Sequence, residues 1–204
     1  QDLAPVLRQP ISRIIANAET IRTRLAGPLP DAYSEYAGEI ASAGRLLLDL
    51  LEDMADLEVV ESEGFTTAPD RIDLSEVSRQ AAGILGVRAR EKGIVIEPPQ
   101  ASEQLPAIAE FRRVLQVLLN LIGNAIRYSP EHSRIWVRLE DRGERARVVV
   151  ADQGPGMTEE QQARIFDKFE RLGRSGDGGT GLGLYSSRRL ARAMGGALPV
   201  ERAP

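Results

Sequence analysis

A chain of 204 residues, 42% hydrophobic and 27% charged, has room for one large domain or two small ones. A net charge of -4 argues against a nucleic-acid binder, and with no cysteine and a single histidine, His132, the chain has neither disulfides nor multi-histidine or thiolate metal sites. No apolar run approaches the ~20 residues of a membrane span and no secretory signal stands out, so a cytoplasmic setting is expected.

Residues 3–26 place Leu7, Ile11, Ile14, Ala18, Ile21 and Leu25 at alternating spacings of four and three. Residues 32–60 repeat the pattern in Tyr33, Ala37, Ile40, Gly44, Leu47, Leu51 and Met54. These are coiled-coil-like seams. Gly27-Pro28-Leu29-Pro30-Asp31 stops one helix and caps the next, which makes an antiparallel hairpin. Its apolar faces exceed what one hairpin can bury, so a homodimeric four-helix bundle is expected, with packing on the rest of the same chain as the alternative. The chain opens within helical sequence and reads as a piece of something longer.

Glu61–Asp70 is polar, contains Gly64 and Pro69, and reads as a linker, giving a hairpin over 1–61, a linker over 62–70 and a second domain over 71–204. In that domain Leu74–Lys92 reads as a helix and Ile94–Glu97 as a short strand closed by Pro98-Pro99. Glu110–Tyr128 is helical, and Arg134–Glu140 with Arg145–Ala151 forms a β-hairpin. Thr158–Phe166 and Leu182–Met194 are helical on either side of the glycine-rich Gly173–Gly183, and Ala197–Val200 begins a further strand. The fold class is α+β: a helical hairpin, then an α/β sandwich with helices layered on one face of a mainly antiparallel sheet.

The chemistry concentrates in four boxes. On the helix through Gln116–Ser129, Leu115, Leu118, Ile122, Ala125 and Ile126 form an apolar stripe continued by Phe111. Asn120, Asn124 and Arg127 share the other side, where an amide oxygen can ligate Mg²⁺ and a guanidinium can pair with phosphate. Val148-Val149-Val150 runs into Ala151-Asp152-Gln153-Gly154-Pro155-Gly156, placing a carboxylate at a strand end beside two glycines that permit a close backbone turn. In Ile165-Phe166-Asp167-Lys168-Phe169-Glu170-Arg171 the two phenylalanines can clamp the base of a mobile segment while Lys168, Arg171 or Arg174 reaches phosphates. Gly178-Gly179-Thr180-Gly181-Leu182-Gly183-Leu184 enters a helix whose N-terminus favours an anion, although no Walker lysine follows. Each box alone is also compatible with an ordinary turn, helix end or solvated face.

Their order, asparagine helix, D-x-G-x-G, F-D-K-F, then G-T-G-L-G-L, resembles the ATP-binding domain of sensor histidine kinases, a group that extends to the gyrase, chaperone and mismatch-repair ATPases. The preceding hairpin resembles that family's dimerisation and phosphotransfer domain, with Leu7-Arg8-Gln9-Pro10-Ile11 matching the end of its first motif. The resemblance implies ATP and Mg²⁺ as cofactors. By it, Asn124 ligates Mg²⁺ with Asn120 in support, Arg127 and Tyr128 line the nucleotide site, and Asp152 reads adenine in a pocket shaped by Gly154 and Gly156. Lys168 and Phe169 join the ATP-binding site, Gly173–Thr180 is the flexible lid, and Gly179, Thr180, Gly181, Leu182 and Gly183 border the phosphates. The implied protein is the core of a longer bacterial-type sensor, working in a phosphorelay with a response regulator or another histidine kinase.

Three positions depart from the family pattern. The phosphoacceptor histidine, five residues before the motif proline, is Pro5; the acidic neighbour is Val6; the residue four after the histidine position is Gln9. Proline has no nucleophilic nitrogen and, inside a helix, costs ~3 kcal/mol, although it is tolerated at a helix start. His132, in a loop after the asparagine helix, is a poor substitute. The chain also stops before the closing strand usual in the family. The expectation is therefore an ATP-binding core of pseudokinase type, with output by conformation. The alternatives are an active kinase phosphorylating a partner in trans and, more remotely, a gyrase-type ATPase, which needs a carboxylate where Asn120 stands.

Overall fold

Small residues decide how closely the first two helices approach. A computed structural model describes residues 3–172 and 179–201 and divides the chain into two compact units, Gln1–Glu63 with Arg171–Leu182, and Gly64–Glu170 with Gly183–Pro204. In the first unit α1 (Ala4–Arg22) and α2 (Asp31–Glu61) form the expected hairpin. Ala18, Ala37, Ala41 and Gly44 are buried between them, and a Cβ at Gly44 would lie 2.7 Å from Ile15 Cγ1, so only glycine fits there without a shift. Glu19 bridges the pair, accepting from Arg22 at 2.7 Å and Arg45 at 2.6 Å; these bonds hold its carboxyl below the usual range. The larger seam residues face outward: Leu7, Ile14, Ile21, Tyr33, Ile40, Leu47 and Met54 are all exposed.

The first helix ends earlier than Leu25. Arg24 takes a left-handed φ of 57°, with Arg24 N bonded to Ile21 O and Leu25 N to Thr20 O, and the Thr23 hydroxyl donates back to Glu19 O at 2.8 Å. That is a Schellman closure with a non-glycine residue at its left-handed position. The Gly27-Pro28 signal comes only after the chain has already turned.

The second unit contains β1 (Asp70–Asp73), α3 (Leu74–Glu91), β2 (Val95–Glu97), β3 (Pro106–Ala109), α4 (Phe111–Tyr128), β4 (Arg134–Asp141), β5 (Ala146–Asp152), α5 (Glu159–Arg164) and α6 (Gly183–Ala193). Asp73 caps α3 by accepting from Ser75 N at 3.0 Å, and it also accepts from Leu105 N at 2.9 Å, so one side chain joins the helix start to the loop before β3. Strands β1 and β3 pair antiparallel, Asp70 opposite Ala109, in a ladder of their own. In the other sheet, ordered β2-β4-β5, the first pair is parallel (Val95 opposite Arg134) and the second antiparallel (Val137 opposite Val150). Val77 and Ala81 of α3, Leu118, Ile122 and Ile126 of α4, and Ile135 and Val137 of β4 make one core, so α3 and α4 lie on the sheet and α6 packs on α4.

Two expected elements change. The helix read over Thr158–Phe166 is confined to Glu159–Arg164, started by a Thr158/Gln161 capping box, and Phe166 lies beyond it. Ala197–Val200 joins no ladder among the described residues. Pro199 has no N–H to give a ladder, and the preceding Gly195-Gly196 closes α6 with Gly195 at φ 77°. No helix among the described residues is long and apolar enough to cross a membrane.

Candidate functional site

The polar strip of α4 is held from several sides. At the helix start, the Glu110 carboxylate accepts from Ala68 N at 2.8 Å, and the Arg113 guanidinium lies 5.3 Å over the Phe65 ring. The segment before β1 is thereby fastened to this helix. Midway, Asn120 turns toward α6: its amide nitrogen donates to Ser187 Oγ at 2.9 Å and Gly183 O at 3.3 Å. One turn on, Asn124 Oδ1 accepts from Arg127 Nη1 at 3.4 Å. Arg127 Nε is buried and has no hydrogen-bond partner among the described residues. A buried guanidinium N–H without an acceptor is costly, and an anion beside it removes that cost. The strip therefore fits a phosphate group beside an amide oxygen suited to a hard cation.

At the end of β5, Asp152 is exposed and its Oδ1 accepts from Gly154 N at 2.8 Å, which fixes the carboxylate in a tight turn. A Cβ at Gly154 would stand 2.9 Å from that oxygen and 3.3 Å from Tyr128 O, while Gly156 has φ 70°. The first glycine leaves room for the Asp152 carboxylate beside the Tyr128 carbonyl, and the second meets a backbone conformation that side chains rarely adopt. The turn thus lies against the end of α4, bringing Asp152, Gly154 and Tyr128 together.

After α5, Lys168 Nζ lies 5.0 Å over the Tyr185 ring and Arg188 lies 4.4 Å over Phe166, tying the F-D-K-F segment to α6. Phe169 is 55% exposed, with a left-handed φ of 61°. It does not share Phe166's contact with α6, so the two phenylalanines are not paired. Arg174 and the expected lid positions 173–178 lie outside the described residues.

The glycine-rich box is divided between the units. Gly183 opens α6 in the second unit, beside Asn120, whereas Gly179, Thr180, Gly181 and Leu182 belong to the first. There Leu182 is fully buried and its N–H donates to Thr180 Oγ1 at 3.3 Å, while the Thr180 hydroxyl donates to Asp53. Burial pushes the Asp53 carboxyl above its usual range, the Thr180 bond opposes this, and neighbouring Asp49, Asp56 and Glu52 add to the rise. In the first unit Pro5 lies in the opening turn of α1, and Pro5, Val6 and Gln9 are all exposed.

Four contributors escaped sequence reasoning. Tyr185, Ser187 and Arg188 lie on α6, and Lys92 at the end of α3 donates to three carbonyls at the end of α4. A small polar residue in an arginine-rich helix was the available signal for Ser187; Lys92 had none beyond its place before Gly93.

Residues 109–204 match the family model described as histidine kinase-, DNA gyrase B- and HSP90-like ATPase. The histidine protein kinase DivJ of Caulobacter vibrioides is 32% identical over 197 residues, covering 96% of this chain and 33% of DivJ. The chain thus spans about a third or less of the first curated relatives it matches, 26% in the case of the circadian kinase CikA of Synechococcus elongatus. Among solved structures, full-length ShkA in complex with AMPPNP superposes with a TM-score of 0.66 at 29% identity, covering 95% of this chain and 40% of ShkA. The catalytic domain of histidine kinase ThkA is 31% identical with a TM-score of 0.53, covering 61% of this chain and 82% of that domain.

Proposed function

Since the chain belongs to the sensor histidine kinases, carrying their helical region and ATP-binding domain, we propose that it is a Mg²⁺-ATP-binding signalling core that cannot phosphorylate itself at the usual position. The observation that supports this reading is the opening turn of α1, where exposed Pro5, Val6 and Gln9 fall, by the family pattern, where the phosphoacceptor histidine, its acidic neighbour and the residue four after the histidine are expected. Neither a proline nitrogen tied in a peptide bond nor a valine side chain can accept a phosphoryl group or a proton.

The nucleotide part of the reading rests on the unpartnered Arg127 Nε, with Asn124 as the Mg²⁺ ligand and Asp152 as acceptor for the adenine amino group. ATP supplies the transferable phosphoryl group when bound. The protein's part is to hold its anion and base. Asn120 supports the strip through α6, Gly154 and Gly156 keep the base pocket open, and Lys168, Phe169 and Gly183 bound the phosphate side.

The outward row Leu7, Ile14, Ile21, Ile40, Leu47 and Met54 is covered in this reading by a second copy, completing a four-helix bundle. Output then passes by conformation from the bundle to a response regulator or another histidine kinase. The experiment is incubation with γ-labelled ATP and Mg²⁺, beside Pro5→His/Val6→Glu. The expected result is nucleotide binding without label on the unchanged chain, and acid-labile label on the variant. Acid-labile label on the α1–α2 helices of the unchanged chain overturns the reading.

A further inference from the structure

We propose that Lys92 is a positioning residue for the nucleotide site, acting through the C-terminal end of α4; this rests on the nucleotide reading above. Its Nζ donates to Ile126 O at 2.8 Å, Ser129 O at 3.1 Å and Arg127 O at 3.2 Å. A lysine ammonium has three protons, and here three carbonyls take them. These acceptors lie in the last turn and exit of a helix, where carbonyls run out of intrahelical donors and the backbone dipole is negative.

The grip extends past the helix. Lys92 O accepts from His132 N at 3.0 Å, so the two ends of one residue hold both sides of the 126–132 segment. Gly93 makes room for this arrangement: it adopts φ 64° to end α3, and a Cβ there would come within 2.4 Å of His132 Nδ1. The backbone held in this way carries Arg127, whose Nε awaits an acceptor, and Tyr128, whose carbonyl abuts Gly154. Lys92 thereby sets where the guanidinium and the Asp152–Gly154 turn stand relative to one another, without touching the nucleotide itself.

The test compares Lys92→Met, Lys92→Gln and Lys92→Arg with a core control, Val137→Ala, at a temperature where circular dichroism shows each folded. Affinity for trinitrophenyl-ATP with Mg²⁺ is read by fluorescence, and the Arg127 Nε–H and Gly154 amide resonances by NMR. The inference expects Lys92→Met to weaken the probe by about tenfold or more, as misplacing a binding group does, with both resonances displaced. Lys92→Gln is intermediate, and Lys92→Arg restores most of both signals. Val137→Ala lowers the melting temperature while leaving affinity and resonances alone. If Lys92→Met folds poorly, the Gln variant carries the comparison. Resonances that stay in place, or affinity within twofold of the unchanged chain, overturn the positioning role. Failure of the unchanged chain to bind the probe overturns the nucleotide reading and this inference with it, whereas binding with unmoved resonances in the lysine variants overturns the positioning alone.

Discussion

Replacing Asn120 by alanine separates two roles that the sequence leaves merged, ligand contact and helix clamp. The substitution removes the bond to Ser187 Oγ at 2.9 Å and the longer one to Gly183 O at 3.3 Å. Two neutral hydrogen bonds contribute about 1 kcal/mol each, and a buried hydroxyl left without a partner costs about 1–3 kcal/mol. Ser187 is completely buried, so its stranded hydroxyl adds about 1 kcal/mol to the loss of the two bonds. The sum is about 3 kcal/mol, which in a domain of this size lowers Tm by about 10 °C. Differential scanning calorimetry measures the loss. A double-mutant cycle with Ser187→Ala assigns it, since Ser187→Ala in the Asn120→Ala background should then cost little. A Tm within about 2 °C of the unchanged chain, or costs that simply add, would refute the clamp.

Gly154→Ala is expected to push the Asp152 carboxylate off the turn, because the new Cβ starts 2.9 Å from its Oδ1. An adenine nucleotide should then bind about tenfold more weakly while a triphosphate without a base is unaffected, as competition titrations would read. In the first unit, the raised pKa of Asp53 has a definite sign. The folded chain holds the proton more tightly than the unfolded one, so stability falls as pH rises from the ordinary aspartate range through the raised folded value, and the penalty persists at neutral pH. Asp53→Asn keeps an acceptor for the Thr180 hydroxyl and cannot ionise. Its advantage in Tm should be greatest near pH 7 and vanish near pH 3; an advantage that grows on acidification would contradict the burial argument.

Much of this could be read from the chain because the decisive patterns are local. The apolar stripe of α4, the alternation in β4 and β5, and the seams of α1 and α2 each state their period within one element. The boxes were legible for the same reason, as short runs whose order is itself the signal. What escaped depends on partners far along the chain. Strands β1 and β3 are four residues each, D-R-I-D and P-A-I-A, and become strands only by pairing with one another. Ala197–Val200 has a strand-like composition but no ladder among the described residues. Asn120 reads as support for Asn124 on the polar strip, and only the packing of α6 on α4 shows it bonded to Ser187. Arg24 in a left-handed conformation could not be anticipated where Gly27 stood nearby.

The parallel pairing of β2 with β4 also dictates an order of assembly. Strands β4 and β5 meet through the short turn at Arg142–Arg145, a closure that costs little chain entropy, whereas Val95 must find Arg134 across the whole of α4. During synthesis α4 leaves the ribosome before either strand of the hairpin it rests on. Until Asp152 has emerged, the apolar side formed by Leu118, Ile122 and Ile126 has only α3 for cover. A nascent chain paused between Tyr128 and Asp152 is thus the species that trigger-type holdases should capture. Slowing translation across that interval lengthens the exposure of the very helix on which the polar strip of Asn120, Asn124 and Arg127 is built.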